Sequence, residues 1–438
     1  MRKTKNGRGT HTAPDIDVDG TFYLEEEYGG LDPKQTAVIF LKGGDESLTG
    51  GMTDDSIVLI DRGRGELDHH GRNFSDAETS ASLMAKKLGI TEDKNVQVLL
   101  GLIKRKDLQG VALPFDAPDI ISCIQKTRNL SDEDKLRLGI RIIRSAMEFR
   151  KRKLQRDNRW GQRVIVDFIA EKKAEKIPEK FRQYIDKLQN ERFDRPFDII
   201  EILVGEYACI GDRDKAVMFV KTLLGFVFND SIKFYQAKQE FREKAVKKEI
   251  KGILMTVHCT DNEKFNPAAR SEGASIIVQR DTDGHTQIFF STDDPLLNDD
   301  IIDSIAAMVR LEECLFQSNA IPDIDLAQSE WVDGIPEWYY YKAPQLGNKK
   351  PGRFVMNGSL TAPDVPCSQI PLSTIFEIVQ KAVVFNPNFN WVRWKSERIA
   401  FYANRKTNLP NPLFFLEKIL FKRFFFDIIS LIRVFFIN

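Results

Sequence analysis

The sequence predicts an α/β protein: a parallel sheet flanked by helices, then a helical connector, then a second, smaller α/β or α+β unit. The runs TAVIFL (36–41) and SIVLID (56–61) are short, β-branched and bounded by Gly or Asp, as buried strands are. Segments 79–90 and 96–107 follow as helices, and strand patterns return after residue 252. Strands that alternate with helices indicate a parallel sheet with helices on its faces.

The chain has 438 residues, the size of two or three domains. The segment 126–192 is strongly charged and helical, with 20 Lys and Arg against 11 Asp and Glu. We therefore expect four parts. They are a first domain at 1–125, a basic helical connector at 126–250, a C-terminal α/β substrate or accessory domain at 251–385, and an apolar tail at 386–438.

Composition limits the function. Lys and Arg total 64, as do Asp and Glu, so the net charge is zero and a generally basic nucleic-acid binder is excluded. The five cysteines lie far apart without a CxxC pair, which is typical of a reduced, cytoplasmic protein. Charged residues interrupt every apolar run after residue 411, so we expect no membrane span there. A surface-lying amphipathic helix and an unpacked chain end both stay open for this tail.

The first motif is HTAPDIDVDG, which contains His11, Asp15 and Asp17. Imidazole and carboxylate ligands suit Mn²⁺ or Mg²⁺ if this segment leaves a strand and turns tightly. The run from Asp15 to Glu26 also has the spacing of an EF-hand loop, but Pro14 and the nearby glycines leave no room for two flanking helices. If this motif stood alone, an Asp-rich surface turn without a metal would be the alternative interpretation.

Further acidic and imidazole groups follow at element ends. Asp61 ends the strand SIVLID, at the edge where parallel sheets place ligand-binding groups. Seven residues later come Asp68, His69 and His70, and Asp107 ends a predicted helix. Three of the five histidines lie in these motifs, together with aspartates at the ends of predicted strands and helices. We therefore expect these histidine and aspartate side chains to converge on one site rather than to lie in separate solvated turns.

These motifs, in this order, resemble those of the DHH phosphoesterase superfamily over residues 11–110. The superfamily includes RecJ-type nucleases, oligoribonucleases and type II inorganic pyrophosphatases. A weaker similarity extends to the melanocyte-proliferating-gene family of DHH-like nucleases, through the Gly-rich lead into DHH and through residues 230–250. The resemblance implies two divalent ions, usually Mn²⁺ with Mg²⁺ as the alternative, about 3.5–4 Å apart on a phosphate.

Carried over motif by motif, the resemblance implies six metal ligands: His11, Asp15, Asp17, Asp61, His69 and Asp107. His11 and Asp15 would hold one ion, and Asp17 and His69 the other. Asp61 and Asp107 would bridge or complete the pair.

The resemblance also implies catalytic roles for Asp61, Asp68 and His70. His70 would contact the phosphate or protonate the leaving oxygen, and Asp68 would orient a histidine. Asp19 lies beyond the usual pattern and would only support the ligands.

The chain departs from the family in two places. The first motif normally follows an apolar strand, but residues 1–10 contain no apolar run. The Gly-Gly-His signature of the usual C-terminal domain is missing after residue 250.

Arginines recur at helical spacing from Arg141 to Arg163, which predicts a basic stripe on one helix face. Such a stripe binds phosphate backbones, and a solvated connector helix is the alternative. We take Arg152, Arg156, Arg159 and, in the second unit, Arg270 as candidate substrate-binding residues.

The sequence therefore predicts a metal-dependent phosphoesterase of the exonuclease kind, whose partner is a nucleic-acid or nucleotide substrate. A pyrophosphatase or small-nucleotide phosphodiesterase is one alternative. A non-catalytic metal-binding or interaction protein is the other. A homodimer is among the assemblies that this interpretation allows.

Overall fold

The fold was taken from a computed structural model. It describes residues 7–41, 57–61, 66–68, 78–127, 129–174, 193–292, 294–317, 321, 324–342, 353–358, 365–385 and 391–407. Within these ranges the protein is α/β, as the sequence predicts, with a small parallel sheet and a larger mixed sheet.

The first sheet has three parallel strands in the order β2-β1-β3. They are β1 (Gly7–His11), β2 (Ala37–Leu41) and β3 (Ile57–Leu59). The central strand, β1, lies within residues 1–10, where the sequence contains no apolar run and therefore no strand signal. Gly9 lets its neighbour approach, because a Cβ there would lie 2.7 Å from Leu59 Cδ2. Arg8 is buried, and its Nε donates to Glu25 Oε2 at 2.8 Å.

Among the described residues, seven helices follow or flank this sheet, and an eighth leads out of it. They are α1 (Ile16–Tyr28), α2 (Ser80–Leu88), α3 (Lys94–Asp107), α4 (Ala117–Gln125), α5 (Asp132–Lys151), α6 (Asn158–Ala174), α7 (Ile199–Ile210) and α8 (Arg213–Glu243). Helices α2 and α3 match the two predicted after the strands. Polar N-caps start several of them, and Gly89 in the left-handed region ends α2.

One hydrophobic core runs from Ile16 to Phe228. It includes buried residues of α5, α6 and α7, such as Ile143, Ile165 and Leu203. Most of the expected connector at 126–250 thus packs into the first unit, because its helices carry an apolar face as well as a charged one. The domain boundaries themselves remain a prediction.

The second unit is a seven-stranded sheet in the order β4-β5-β6-β7-β10-β9-β8, antiparallel except for the pair β5-β6. Its strands are β4 (Val246–Ile250), β5 (Ile253–Cys259), β6 (Ile276–Arg280), β7 (Thr286–Phe290), β8 (Glu330–Val332), β9 (Ile335–Lys342) and β10 (Arg353–Asn357). Its helices are α9 (Phe265–Ser271), α10 (Asp299–Gln317), α11 (Leu372–Phe385) and α12 (Trp391–Thr407).

The faces of this sheet are covered differently. Residues of α10 and α11 form the main core of the second unit with one face. The end of α8 and helix α9 pack on the other face through Phe241 and Phe265, so α8 joins the two units. Among the described helices, none is long and apolar enough to cross a membrane. The Phe-rich tail after residue 407 lies outside the described residues.

Candidate metal centre

His11 ends the central strand β1 and points toward the end of the neighbouring strand β3. Its Nδ1 lies 2.8 Å from the carbonyl oxygen of Thr12, and its Nε2 lies 3.4 Å from Asp61 Oδ2. A backbone carbonyl at Nδ1 favours the tautomer with the proton on Nδ1. That tautomer leaves the lone pair of Nε2 facing the carboxylates, as a metal ligand requires.

Asp15 and Asp61 complete a three-residue cluster with His11. One ligand atom from each of the three residues lies within 4.8 Å of the other two. Asp15 is the N-cap of α1, where its Oδ1 accepts from the backbone N–H groups of Asp17 and Val18 at 3.0 and 3.2 Å. Asp61 follows β3 with a φ of 55°. Aspartate tolerates this left-handed conformation better than most residues, and here it turns the carboxylate back toward His11.

The chain between His11 and Asp15 is held from both sides. Ala13 has a φ of 56°, a strained value for alanine. Its N–H donates to Asp132 Oδ1 at 3.0 Å, and its carbonyl accepts from Gln125 Nε2 at 2.8 Å. Helices α4 and α5 therefore fix the tight turn that brings Asp15 back beside His11.

Asp17 lies in the first turn of α1 and is fully buried at the N-terminus of α2. Its Oδ2 and Oδ1 accept from the backbone N–H groups of Ser80 and Ala81 at 2.7 and 2.8 Å. Ser80 also donates its hydroxyl to Asp61 Oδ1 at 3.1 Å. The start of α2 thus joins Asp17 to Asp61. Sequence reasoning missed Ser80, although the Thr79–Ser82 capping box marks a helix start there.

Negative charge is concentrated at this site. Burial, and then the carboxylates of Asp61, Asp15 and Asp107, raise the pKa of Asp17 to about 8. Burial also raises the pKa of Asp15, which His11 lowers and Asp61 and Asp107 raise. Burial lowers the pKa of His11, but Asp61 and Asp15 outweigh it and bring the pKa to about 9. Carboxylates gathered this closely repel one another when ionised, and a divalent cation that displaced their protons would relieve the repulsion.

The remaining predicted residues are placed unequally. Asp107 ends α3, close enough for its charge to act on Asp15 and Asp17. Asp68 is buried and follows Leu67, whose carbonyl accepts from the N–H of Asp61 at 2.8 Å. His69 and His70 lie outside the described residues. The roles of all these side chains stay predictions.

Asp19 lies one helical turn after Asp15 on α1 and packs against α5. It is fully buried, and among the described residues neither of its oxygens has a hydrogen-bond partner. A Cβ on Gly139 of α5 would lie 1.8 Å from Asp19 Oδ2. Burial, and then the charge of Asp15, raise the pKa of Asp19 well above its usual range. Gly139 is therefore the residue that makes room for this carboxyl group.

The basic stripe does not form one helix face. Helix α5 ends at Lys151 and α6 begins at Asn158, with Lys153 in the left-handed region between them. The prediction of a continuous stripe was wrong for this reason. Arg156 donates to Asp198 and Glu201 at 2.7 Å each, and Arg152 pairs with Glu148 at 2.7 Å.

The other two candidate substrate-binding residues lie on α6 and α9. Arg159 is exposed on α6, and Arg270 of α9 donates to the Phe290 carbonyl at 2.9 Å. The 20 residues of α5 span about 30 Å, with Asp132 at the metal end and the Arg152 region at the other. That these arginines bind substrate remains a prediction.

No protein-family model matches the chain. No curated protein matches it either. Among solved structures it is similar to RecJ in complex with Mg²⁺ from Thermus thermophilus, with 9% identity and a TM-score of 0.33. That match covers 88% of this chain and 50% of that one, so this chain spans half the length of that RecJ.

A structure of exonuclease RecJ bound to manganese matches with 9% identity and a TM-score of 0.34, covering 88% of this chain and 91% of that one. An uncharacterized protein from Helicobacter pylori matches with 8% identity and a TM-score of 0.24, covering 86% of this chain and 99% of that one. Similarity at these identities and TM-scores does not determine what reaction this chain catalyses. The case for a metal site rests on the distances between His11, Asp15 and Asp61.

Proposed function

We propose that this chain is a divalent-metal-dependent phosphoesterase that hydrolyses phosphodiester bonds in nucleic acid or short oligonucleotides. The observation that carries the proposal is the cluster of His11, Asp15 and Asp61, whose ligand atoms lie within 4.8 Å of one another. The three residues come from the ends of two parallel strands and the start of a helix, where open α/β sheets bind ligands.

The residues fit a hard divalent cation. The cluster offers one imidazole nitrogen and carboxylate oxygens but no thiolate, which suits Mn²⁺ or Mg²⁺. His11 and Asp15 would hold one ion, and Asp17 and His69 the second. Asp61 and Asp107 would bridge or complete the pair. When bound, two such ions would polarise the phosphate and make a water molecule nucleophilic at neutral pH.

The chain's own side chains would supply orientation and proton transfer. The Thr12 carbonyl at Nδ1 of His11 would keep Nε2 directed at the ion. The Ser80 hydroxyl would fix one oxygen of Asp61 and leave the other, Oδ2, facing His11. His70 would contact the phosphate or protonate the leaving oxygen, and Asp68 would orient a histidine.

The proposal is tested by a Mn²⁺-dependent activity panel on a single-stranded oligonucleotide, a dinucleotide and pyrophosphate, each with and without a chelator. Asp15→Asn is the informative variant, because asparagine caps a helix as well as aspartate while removing the charge. Asp93→Asn is its matched control, since Asp93 caps α3 by the same two backbone contacts but is exposed.

We expect Mn²⁺-dependent cleavage of the oligonucleotide by the wild type and Asp93→Asn, and loss of cleavage in Asp15→Asn. Turnover of pyrophosphate or dinucleotides alone would support the pyrophosphatase or small-nucleotide phosphodiesterase instead. Mn²⁺ binding without hydrolysis of any of the three would leave the non-catalytic metal-binding protein.

A further inference from the structure

The sheet of the second unit has one face that helices cover only in part. Strand side chains alternate between the two faces, and Trp338, Tyr340 and Val355 point into the main core with α10 and α11. On the opposite, outer face, the end of α8 and helix α9 cover the half formed by β5, β6 and β7, through Phe265 and Ile277. Among the described helices, α10 is the one that packs closely on β9, and it does so from the core face. The outer face of β8, β9 and β10 therefore has no covering helix in the described part of the chain.

Aromatic side chains occupy this uncovered half. In β9, Tyr339 and Tyr341 alternate with the buried residues and so lie on the outer face. In the register of the sheet, Tyr341 lies opposite Phe354 of β10, and Tyr339 lies opposite Met356. Trp331 of β8 extends the second row, because its ring lies against that of Tyr339. We call these five residues (Trp331, Tyr339, Tyr341, Phe354 and Met356) the aromatic face.

The rings of the aromatic face are ordered in two neighbouring pairs. Tyr341 and Phe354 are stacked, with ring centroids 4.8 Å apart and an angle of 18° between the ring planes. Trp331 and Tyr339 have centroids 5.1 Å apart and planes inclined by 51°. Tyr339 and Tyr341 are two residues apart in one strand, which separates the pairs by about 6.8 Å. Packing between the strands thus fixes the rings before any ligand arrives.

The aromatic face stays in contact with water. Trp331 and Tyr341 keep 38% and 37% of their surfaces exposed. Single exposed apolar residues are ordinary on protein surfaces, but a contiguous group of them marks a binding surface. None of the five side chains carries a charge. A neutral aromatic surface on a sheet suits nucleobases, because every base has a π-face, and RNA-recognition sheets stack two or three bases in this way.

A cation lies at the border between the covered and uncovered halves of the outer face. Phe289 of β7 lies opposite Phe354 and also packs against the residues under α9. Arg270 of α9 is exposed, and its Nη2 donates to the carbonyl of Phe290 at 2.9 Å. This hydrogen bond holds the guanidinium at the end of β7, beside the strand that carries Phe354. Arg270 therefore supplies positive charge on the same side of the sheet as the aromatic face.

We propose that the aromatic face, with Arg270 at its border, binds a single-stranded oligonucleotide and stacks its bases on Tyr341 and Trp331. This inference rests on the proposed function for the choice of ligand, since a phosphoesterase that acts on nucleic acid must hold the strand beyond the bond that it cleaves. A protein partner or a second copy of this chain is the occupant that the test must distinguish.

The test compares two fluorescently labelled probes of equal length and charge, a single-stranded thymidine octamer and its abasic analogue. Binding is measured by fluorescence anisotropy in EDTA, where no metal-dependent cleavage occurs. Tyr341→Leu removes the most regularly stacked exposed ring, and Tyr341→Phe keeps that ring. Tyr207→Leu is the matched control, because Tyr207 is an exposed tyrosine of α7 in the first unit.

The wild type, Tyr341→Phe and Tyr207→Leu should bind the thymidine octamer at least about fivefold more tightly than the abasic strand, the lower value for stacking one base. Tyr341→Leu should weaken binding of the thymidine octamer by at least about fivefold and leave binding of the abasic strand unchanged.

The contribution of Arg270 is measured separately through salt. Arg270→Gln should weaken binding of both probes and reduce the slope of log affinity against log salt by about 0.7, the value for one phosphate contact to a single strand. Arg270→Lys, which keeps the charge, should retain the slope of the wild type. An unchanged slope in Arg270→Gln would remove Arg270 from the site.

Equal binding of the two probes by the wild type would overturn the proposal, as would normal octamer binding by Tyr341→Leu. Sedimentation velocity tests the other occupants. A wild-type dimer that Tyr341→Leu converts to a monomer would make this face an interface between copies and would also overturn the proposal.

The two proposals fail separately. If the wild type cleaves oligonucleotides with Mn²⁺ while Tyr341→Leu binds the octamer normally, the aromatic face is wrong and the phosphoesterase stands. If no phosphate ester is hydrolysed but the octamer is preferred over the abasic strand through Tyr341, the aromatic face stands and the phosphoesterase is wrong.

Discussion

Two regions of the first unit are rich in charge and are built in opposite ways. Around His11, carboxylates are gathered at the ends of β1 and β3, and burial, followed by repulsion between these carboxylates, raises the pKa of Asp15 and Asp17. Along α5 and beyond it, opposite charges are paired. Arg141 lies 2.9 Å from Glu206, and Arg156 lies 2.7 Å from Asp198.

This difference in charge pairing suggests that the gathered carboxylates serve ligand binding and that the arginine–carboxylate pairs serve folding. A buried arginine–carboxylate pair satisfies both partners within the chain and leaves no charge for an outside ligand. Carboxylates that repel one another destabilise the fold, and a bound cation would relieve that repulsion. We therefore propose the candidate metal centre as the functional region, whereas the arginine pairs chiefly hold α5, α7 and the segment between α5 and α6 together.

The largest expected effect is that of Asp61→Asn, which removes one carboxylate from the gathered set. Hydrolysis should fall by more than about a hundredfold, beyond the 10–100-fold typical of losing a residue that only supports a ligand. Melting of the metal-free protein should stay close to that of the wild type, because lost repulsion from Asp15 and Asp17 offsets the lost attraction between Asp61 and His11. The measurements are initial rates with Mn²⁺ and circular-dichroism melting. Rates close to those of the wild type would show that Asp61 does not serve the metal.

On the paired side, Arg156→Met should reduce the free energy of unfolding by about 3 kcal/mol, since it leaves the buried Asp198 without this partner. The KM for oligonucleotides should stay unchanged. Urea unfolding and steady-state kinetics measure the two quantities, with the exposed Arg159→Met as the control for stability alone. Normal stability together with a raised KM would instead support the prediction that Arg156 binds substrate.

Between the two regions, Gly139→Ala should destabilise the protein by about 1–3 kcal/mol through overpacking, despite the better helix propensity of alanine. Its Cβ would meet Asp19 Oδ2, the carboxyl group that faces α5. The double variant Gly139→Ala/Asp19→Ala should regain much of the loss in a thermal-unfolding cycle. Additive losses would mean that Asp19 and Gly139 do not share this space.

The last expected effect concerns pH and leaves the covalent structure unchanged. With pKa values of about 9 for His11 and about 8 for Asp17, the metal-free site holds protons at pH 7 that a cation must displace. Mn²⁺ affinity, measured by calorimetry, should therefore rise by up to about tenfold per pH unit for each proton released between pH 6 and 8. It should level off above pH 9. A flat profile from pH 6 to 8 would show that the site is already deprotonated.

Sequence patterns predict the candidate metal centre because its groups lie at the ends of strands and helices. Asp61 follows a clear apolar strand, and Asp15 begins a helix after a proline, so their placement depends on local signals. His11 was found through its spacing to Asp15. Ser80 was missed, since its contact with Asp61 depends on how α2 meets β3 and on nothing adjacent in the sequence.

The polar central strand and the charge pairs could not be predicted for related reasons. Strand recognition relies on apolar side chains, but the segment GRGTH is buried through Gly9 and through Arg8 paired with Glu25, 17 residues away. Likewise the partner of Arg156 lies 42 residues further on. The helical spacing of the arginines does not reveal that the helix ends at Lys151. It also does not reveal that several of these arginines pair with carboxylates of the same chain.

The most direct test of the metal centre is a Mn²⁺ titration, by electron paramagnetic resonance, of the wild type, Asp15→Asn and Asp93→Asn. Both substitutions keep a helix cap, but only Asp15 lies with His11 and Asp61. The account predicts that Mn²⁺ binds the wild type and Asp93→Asn equally and binds Asp15→Asn at least about tenfold more weakly, as loss of a ligand charge requires. Equal affinity for all three proteins would contradict it.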